Sequence, residues 1–141
     1  MGRQTVKITA DTNVLVRAMT GDDARQSRIA QAELANAELV SLALPALCEL
    51  VWVLSRGYRI PTVEIVAAIQ RLIDAENVAV NRPAAQAGLA LLQSGGDFAD
   101  GVIAYEGEWL GAEDFVSFDR KAVELVKAQG RAARLPGSRH A

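Results

Sequence analysis

Histidine and cysteine are almost absent from this sequence, and their scarcity excludes several classes of enzyme. The only histidine, His140, lies close to the C-terminus, so a Ser-His-Asp or Cys-His mechanism has no base in the body of the chain. Zinc sites built from several Cys and His side chains are excluded for the same reason. The single cysteine, Cys48, cannot form an internal disulfide, and its apolar neighbours predict a core position in a reducing compartment.

Long apolar runs and a phosphate-binding loop are also missing. No segment approaches the ~20 apolar residues of a membrane span, and the N-terminus lacks the apolar stretch of a signal peptide, so we expect a cytoplasmic protein. No glycine-rich loop follows the first predicted strand, and segment 94–96 lacks the lysine and the spacing of a P-loop. Membrane proteins and P-loop nucleotide hydrolases are thereby excluded.

Neither sign of charge dominates the chain. The net charge is −2, which argues against a protein that coats nucleic acid nonspecifically. The charges are unevenly distributed, because segment 97–119 is rich in acids and basic residues concentrate from Arg120 to the end. This pattern is compatible with an acidic pocket beside a basic rim.

The composition and the hydrophobic periodicity predict one α/β domain. Half of the 141 residues are apolar and 23% are charged, as in globular proteins, and we predict a single domain over 1–135 with a flexible tail over 136–141. Strands are predicted at 5–10, 38–42, 78–80, 115–118 and 132–135. Helices are predicted at 14–19, 22–37, 45–56, 61–75, 83–92, 97–110 and 119–129, with Asp22 as the N-cap of the second. Such alternation predicts a mainly parallel sheet flanked by helices in a three-layer sandwich.

Glu49 is a charged residue in an otherwise apolar run, 45–54. All of its neighbours at helical spacing are apolar, and no Lys or Arg lies within one helical turn. A buried carboxylate without a partner costs several kcal/mol. We therefore predict that Glu49 finds a partner elsewhere in the fold, and a metal ion is one candidate.

Four further acids occupy strand ends and helix starts. Asp11 follows the first predicted strand and Asp119 follows the fourth, and parallel α/β sheets bind ligands beyond the carboxyl ends of their strands. Asp97 and Asp100 begin a predicted helix. Each has a structural alternative, because Asp is a favoured N-cap and an acid in the first helical turn is stabilised by the helix dipole. Their combination with Glu49 is what indicates a functional site.

A cluster of carboxylates without histidine is typical of a hard-cation site. All-oxygen ligands suit Mg²⁺ or Mn²⁺, and several carboxylates close together repel one another unless a cation is present. A metal ion held in this way activates water and clamps a phosphodiester for in-line displacement. Hydrolysis of a nucleic-acid strand is therefore the reaction class that these residues indicate.

Four segments, in this order and spacing, resemble the PIN-domain ribonucleases and in particular the VapC-type toxins of bacterial toxin–antitoxin pairs. The segments are ITADTNVLV at 8–16, LCELV at 47–51, DFADGVIA at 97–104 and VSFDRKA at 116–122. The resemblance implies a PIN-like fold and a metal-dependent endoribonuclease that hydrolyses RNA phosphodiester bonds, with tRNA or rRNA as the expected substrate. It also implies a homodimer, a cognate VapB-type antitoxin and no membrane partner.

The resemblance assigns roles to individual residues. The catalytic acids, which also bind Mg²⁺ or Mn²⁺, are Asp11, Glu49, Asp100 and Asp119. Supporting roles fall to Thr12, Asn13, Asp97 and Ser117, of which Asn13 holds the carboxylates through its amide and Asp97 is an optional ligand. Arg120 is a candidate for a contact with RNA phosphates, because it adjoins Asp119. Gly101 stands where the family commonly has alanine, which predicts a slightly loosened helix.

Three alternatives to the ribonuclease remain open. A non-catalytic PIN-like binding module typically loses the acids that this chain retains. A nuclease acting on DNA, such as a flap-type enzyme, uses inserted helical regions that this chain lacks. A receiver-like phosphotransferase needs a lysine near its acids, and Lys121 is the only lysine close to a candidate acid.

Overall fold

The structure is a computed structural model that describes residues 6–138. Thr5, where we predict the first strand to begin, and positions 139–141 of the predicted tail, which include His140, lie outside the described residues. The chain divides into two compact units, Met1–Asn81 and Arg82–Ala141, and each is described by itself. The single domain over 1–135 stays a prediction.

The first unit contains a parallel sheet of three short strands. These strands are β1 (Lys7–Thr9), β2 (Leu39–Leu42) and β3 (Val78–Val80), in the spatial order β1-β2-β3. Its described residues also form four α-helices, namely α1 (Thr12–Met19), α2 (Ala24–Asn36), α3 (Leu44–Trp52) and α4 (Thr62–Asp74). A π-helical turn, Val53–Gly57, continues directly from α3.

The central strand β2 sets the register of this sheet. Its Val40 lies opposite Ile8 of β1 and Val78 of β3, and it is fully buried. The helices that connect the strands allow the parallel pairing. Because β1 ends at Thr9, the chain leaves the carboxyl edge of the sheet at Asp11, as the sequence predicts.

The N-cap of α2 lies one residue later than predicted. We predict Asp22 as the N-cap, but the capping residue is Asp23, whose side chain accepts a hydrogen bond from Gln26 N at 3.0 Å. Two adjacent aspartates offer equivalent capping chemistry, and the sequence does not distinguish between them. The carboxylate of Asp22 is thereby available for other contacts.

The Glu49 helix begins as expected and ends in an unexpected way. Pro45 lies in the first turn of α3, where its missing N–H costs nothing. The predicted helix, 45–56, is divided into α3 and the wider π-helical turn, which Tyr58 N closes by donating to Val53 O at 3.1 Å. Arg59 follows with φ 54°, a left-handed conformation that is unfavourable for a residue with a side chain.

The second unit contains three α-helices and two paired strands among its described residues. The helices are α5 (Arg82–Gln93), α6 (Phe98–Trp109) and α7 (Arg120–Ala128). Strands β4 (Phe115–Val116) and β5 (Ala133–Arg134) pair in parallel. The buried core joins α5, α6, α7 and β5 through Leu91, Ala104, Val123, Val126 and Ala133.

Helices α5 and α6 approach each other closely at Gly101. A Cβ added at Gly101 would overlap the carbonyl oxygen of Ala87 and lie 2.8 Å from the Cα of Gly88. The expectation that glycine merely loosens this helix is therefore wrong. Gly101 is buried, and its missing side chain is what allows the backbones of α5 and α6 to meet.

The architecture is α/β, with seven α-helices, a three-stranded parallel sheet and a two-stranded parallel sheet among residues 6–138. The predicted order of strands and helices is confirmed throughout; β3 has its predicted bounds, and the other strands are shorter than predicted. Within 6–138, none of the helices has the length and apolar character needed to cross a bilayer.

Candidate functional site

In the first unit, Thr12 connects two of the predicted catalytic acids. Asp11 is the N-cap of α1, and its Oδ1 accepts a hydrogen bond from Thr12 N at 2.8 Å. The hydroxyl of Thr12 donates to Oε1 of Glu49 on α3 at 3.0 Å. Thr12 is thus bonded through its main chain to one carboxylate and through its side chain to the other.

These side chains line an open pocket of about 390 Å³, here called the Asp11–Glu49 pocket. Its lining consists of Asp11, Thr12, Asn13, Val16, Arg17, Glu49, Val53 and Tyr58. The lining combines two carboxylates, an amide and a hydroxyl with the guanidinium of Arg17 and the phenol of Tyr58. Sequence reasoning names the first four of these polar groups, interprets Arg17 by default as a solvated charge, and does not name Tyr58.

The environment of Glu49 differs from the prediction. Its side chain is exposed, and the premise that it must be buried is wrong. Helix α3 buries one face, which includes Leu47 and Leu50, while Glu49 and Trp52 one turn later lie on the opposite face, where Trp52 is 58% exposed. A run of apolar residues therefore does not bury every position of this helix. The partner of Glu49 among the described residues is Thr12.

In the second unit, the turn between β4 and α7 fixes Asp119. Its Oδ1 accepts from Ala122 N at 3.2 Å, so Asp119 is the N-cap of α7. Its own N–H donates to Oγ of Ser117 at 3.0 Å. Ser117 therefore supports the backbone of Asp119, and its role at a metal site stays a prediction.

The capping alternative applies to two of the predicted ligands. Asp11 and Asp119 both cap helices, and each capping bond uses Oδ1, so Oδ2 can serve a further ligand. Asp97 occupies the N-cap position of α6, but its side chain makes no capping hydrogen bond. Capping therefore explains where Asp11 and Asp119 are placed, and it leaves Asp97 without a structural role of this kind.

Asp97, Asp100 and Asp119 influence one another electrostatically. Partial burial raises the pKa of Asp100, and the charges of Asp97 and Asp119 raise it further. Every cause of the shift acts in the same direction, so the charge of Asp100 is not compensated by the groups that surround it. A carboxyl group in such surroundings favours either a proton or an added cation.

The donors present fit Mg²⁺ or Mn²⁺ by their chemistry. They are carboxylates with hydroxyl and amide groups beside them, the hard oxygen donors that these ions prefer. Among residues 6–138, however, no group of three or more His, Cys, Asp or Glu side chains is arranged so that it could hold a metal ion.

The remaining predicted site residue is exposed. Arg120 is the first residue of α7 and follows Asp119 directly. Its contact with RNA stays a prediction.

No protein-family model matches the sequence, and no curated protein matches it.

Proposed function

We propose that the protein is a Mg²⁺- or Mn²⁺-dependent endoribonuclease of the PIN-domain type that acts as the toxin of a toxin–antitoxin pair. The observation that carries the proposal is the environment of Asp100, whose pKa is raised by partial burial and further by the charges of Asp97 and Asp119. The linked acids Asp11 and Glu49 support it, because they supply further oxygen donors of the same kind.

The residues that hold the ion under this proposal are Asp11, Glu49, Asp100 and Asp119. When bound, the ion supplies a Lewis acid that lowers the pKa of a bound water and offsets the charge of a phosphodiester. The substrate is RNA, with tRNA or rRNA loops as the expected targets and Arg120 as a phosphate contact. The remaining elements of the proposal are a homodimer, a VapB-type antitoxin and a cytoplasmic location.

Hydrogen bonds from the chain's own residues hold the carboxylates in position. Thr12 holds Glu49 through its hydroxyl and restricts the rotation of that carboxylate. The capping bonds of Asp11 and Asp119 fix one oxygen of each carboxylate. Asp100, whose pKa is raised, holds a proton more readily than an ordinary aspartate and releases it when a cation binds. We therefore expect metal affinity to increase as the pH rises.

The proposal is tested by metal binding and RNA cleavage on the same preparations. Calorimetric titration of the metal-free protein with Mn²⁺ is expected to show a saturable site that Glu49→Gln weakens by at least about 10-fold. Glu33→Gln, which removes an exposed acid of α2, is the matched control and is expected to bind like the wild type. Cleavage of labelled tRNA and rRNA is expected in Mn²⁺ and not in chelator.

Other outcomes identify the alternatives. A wild type without a saturable Mn²⁺ site, and without RNA cleavage, contradicts the proposal and favours a non-catalytic binding module. Cleavage of branched or single-stranded DNA in preference to RNA favours the DNA nuclease instead.

Thr12 provides a milder test of the same site. Thr12→Val keeps the shape of the side chain and removes the donor to Glu49, so we expect Mn²⁺ affinity to fall by about 10-fold. Thr12→Ser keeps the hydroxyl and is expected to bind within about 3-fold of the wild type. Loss of affinity in Thr12→Ser without loss in Thr12→Val would mean that the methyl group, and not the hydrogen bond, is what matters.

A further inference from the structure

Asp22 does not cap α2, and its carboxylate accepts hydrogen bonds from three side chains of the first unit. Its Oδ2 accepts from the phenol of Tyr58 at 2.7 Å, and its Oδ1 accepts from Oγ1 of Thr20 at 2.9 Å and Nη1 of Arg17 at 3.1 Å. The hydrogen bonds from Tyr58 and Thr20, with the positive charge of Arg17, hold the pKa of Asp22 below its ordinary value. Asp22 is therefore a charged acceptor near neutral pH.

Two of these partners line the Asp11–Glu49 pocket. Arg17 and Tyr58 belong to its lining, whereas Asp22 does not. On α1, Arg17 follows Asn13 by four residues, so both project from the same side of the helix next to Asp11. The network thus joins a cation and an aromatic ring at the rim of a pocket that contains two of the proposed catalytic acids.

The backbone that carries Tyr58 is unusual. The π-helical turn Val53–Gly57 separates Tyr58 from α3, and Arg59 adopts φ 54° immediately after it. Conformations of this kind cost on the order of 1 kcal/mol or more and persist where other contacts determine them. The Tyr58–Asp22 hydrogen bond connects this turn to the segment after α1 and is one such contact.

Arg17 keeps the capacity to bind an anion. Its guanidinium has five N–H donors, and Nη1 is the group bonded to Asp22. The pair is exposed to solvent, with 38% of the Arg17 side chain accessible, so it is weak and does not prevent a second contact. A guanidinium with free donors suits the two oxygens of a phosphate group.

From this arrangement we propose that Arg17 and Tyr58 form a subsite for one nucleotide of a single-stranded RNA next to the cleavage position. Arg17 binds the phosphate and the ring of Tyr58 stacks on the base, while Asp22 acts as a positioning residue for both. The proposal rests on the proposed ribonuclease function. A single strand fits because stacking on a tyrosine requires an unpaired base.

The subsite is tested by RNA binding and by cleavage kinetics. Fluorescence anisotropy with a labelled single-stranded RNA oligonucleotide gives Kd in chelator, where no cleavage occurs. We expect Tyr58→Ala and Arg17→Gln each to weaken binding by about 10-fold, and Arg17→Gln to lower the salt dependence by about one counterion. In Mn²⁺, the loss in kcat/KM should be carried mainly by KM.

Two comparisons distinguish an RNA-binding subsite from a group of side chains that only stabilises the fold. Tyr58→Phe keeps the ring and removes the bond to Asp22, so we expect binding between that of wild type and Tyr58→Ala, with Asp22→Asn behaving similarly. Trp52→Ala removes another exposed aromatic of the same unit that does not line the pocket, and it is expected to bind RNA as the wild type does.

The two proposals fail in different ways. A wild type that cleaves RNA, with Tyr58→Ala and Arg17→Gln variants that lose thermal stability but keep Kd and KM, overturns the subsite and leaves the ribonuclease intact. A wild type that neither binds nor cleaves RNA overturns both.

Discussion

Asp100→Asn is expected to reduce RNA cleavage by about 1000-fold while making the metal-free protein more stable. Under the proposed function, the loss follows because an amide replaces a charged metal ligand. The gain follows because Asp100 is partly buried beside Asp97 and Asp119, and each of these conditions disfavours its charge. Catalysis and folding therefore make opposite demands on this side chain.

The raised pKa of Asp100 determines how the stability of the wild type, relative to Asp100→Asn, changes with pH. Since the pKa of Asp100 is raised in the folded state, the group is neutral in both states at pH well below its ordinary value of 3.8. As the pH rises from the unfolded-state pKa through the raised folded-state pKa, the unfolded state ionises before the folded state does, so the folded state loses stability relative to the unfolded state. The difference in free energy of unfolding between Asp100→Asn and the wild type should therefore grow with pH across this range and then level off.

Thermal unfolding in chelator, repeated over a series of pH values, measures this difference. Glu124→Gln is a suitable control, because it removes an exposed acid from α7 and is expected to change Tm little at any pH. With saturating Mn²⁺ the order is expected to reverse, since the wild type binds the ion more tightly than the variant. An Asp100→Asn variant that is less stable than the wild type in chelator at neutral pH would contradict the electrostatic account.

Gly101→Ala is expected to destabilise the protein by about 2 kcal/mol or more. The new methyl group would occupy the space of the Ala87 carbonyl oxygen and the Gly88 backbone, and neither can move as a flexible side chain does. Helix α6 must shift away from α5, and it carries Asp100, the residue next to Gly101. We therefore expect cleavage activity to fall as well, even though the resemblance to the PIN family implies alanine at this position.

Gly107 on the same helix is the matched control. A Cβ at Gly107 meets Cβ of Ala112 at 3.9 Å, an ordinary contact. Gly107→Ala should therefore stabilise α6 by roughly 0.5–1 kcal/mol through helix propensity alone. Chemical denaturation of both variants gives the comparison, and similar free energies of unfolding for the two would show that the close approach of α5 and α6 adjusts without cost.

The order of elements was predictable because it depends on local patterns. Alternating apolar residues, prolines at helix starts and glycines at helix ends specify the strands and helices within a few residues of their observed bounds. Positions such as Asp11 and Asp119 could be placed for the same reason, since each directly follows a predicted strand. The segment-level resemblance then grouped these acids as candidate ligands.

Features that depend on contacts distant in sequence could not be predicted. Whether Asp22 or Asp23 caps α2 depends on where Tyr58 lies, 36 residues beyond Asp22. The π-helical turn that places Tyr58 has no sequence signature of its own. The exposure of Glu49 reflects which face of α3 has neighbours, and the constraint at Gly101 comes from the backbone of another helix.

The capping bonds of Asp11 and Asp119 have an evolutionary consequence. Asparagine caps a helix about as well as aspartate, so Asp→Asn at either position removes a charge and preserves the helix start. A single nucleotide change converts an aspartate codon into an asparagine codon. Under the proposed function, a single codon change at either position therefore removes a catalytic acid and keeps the cap of its helix.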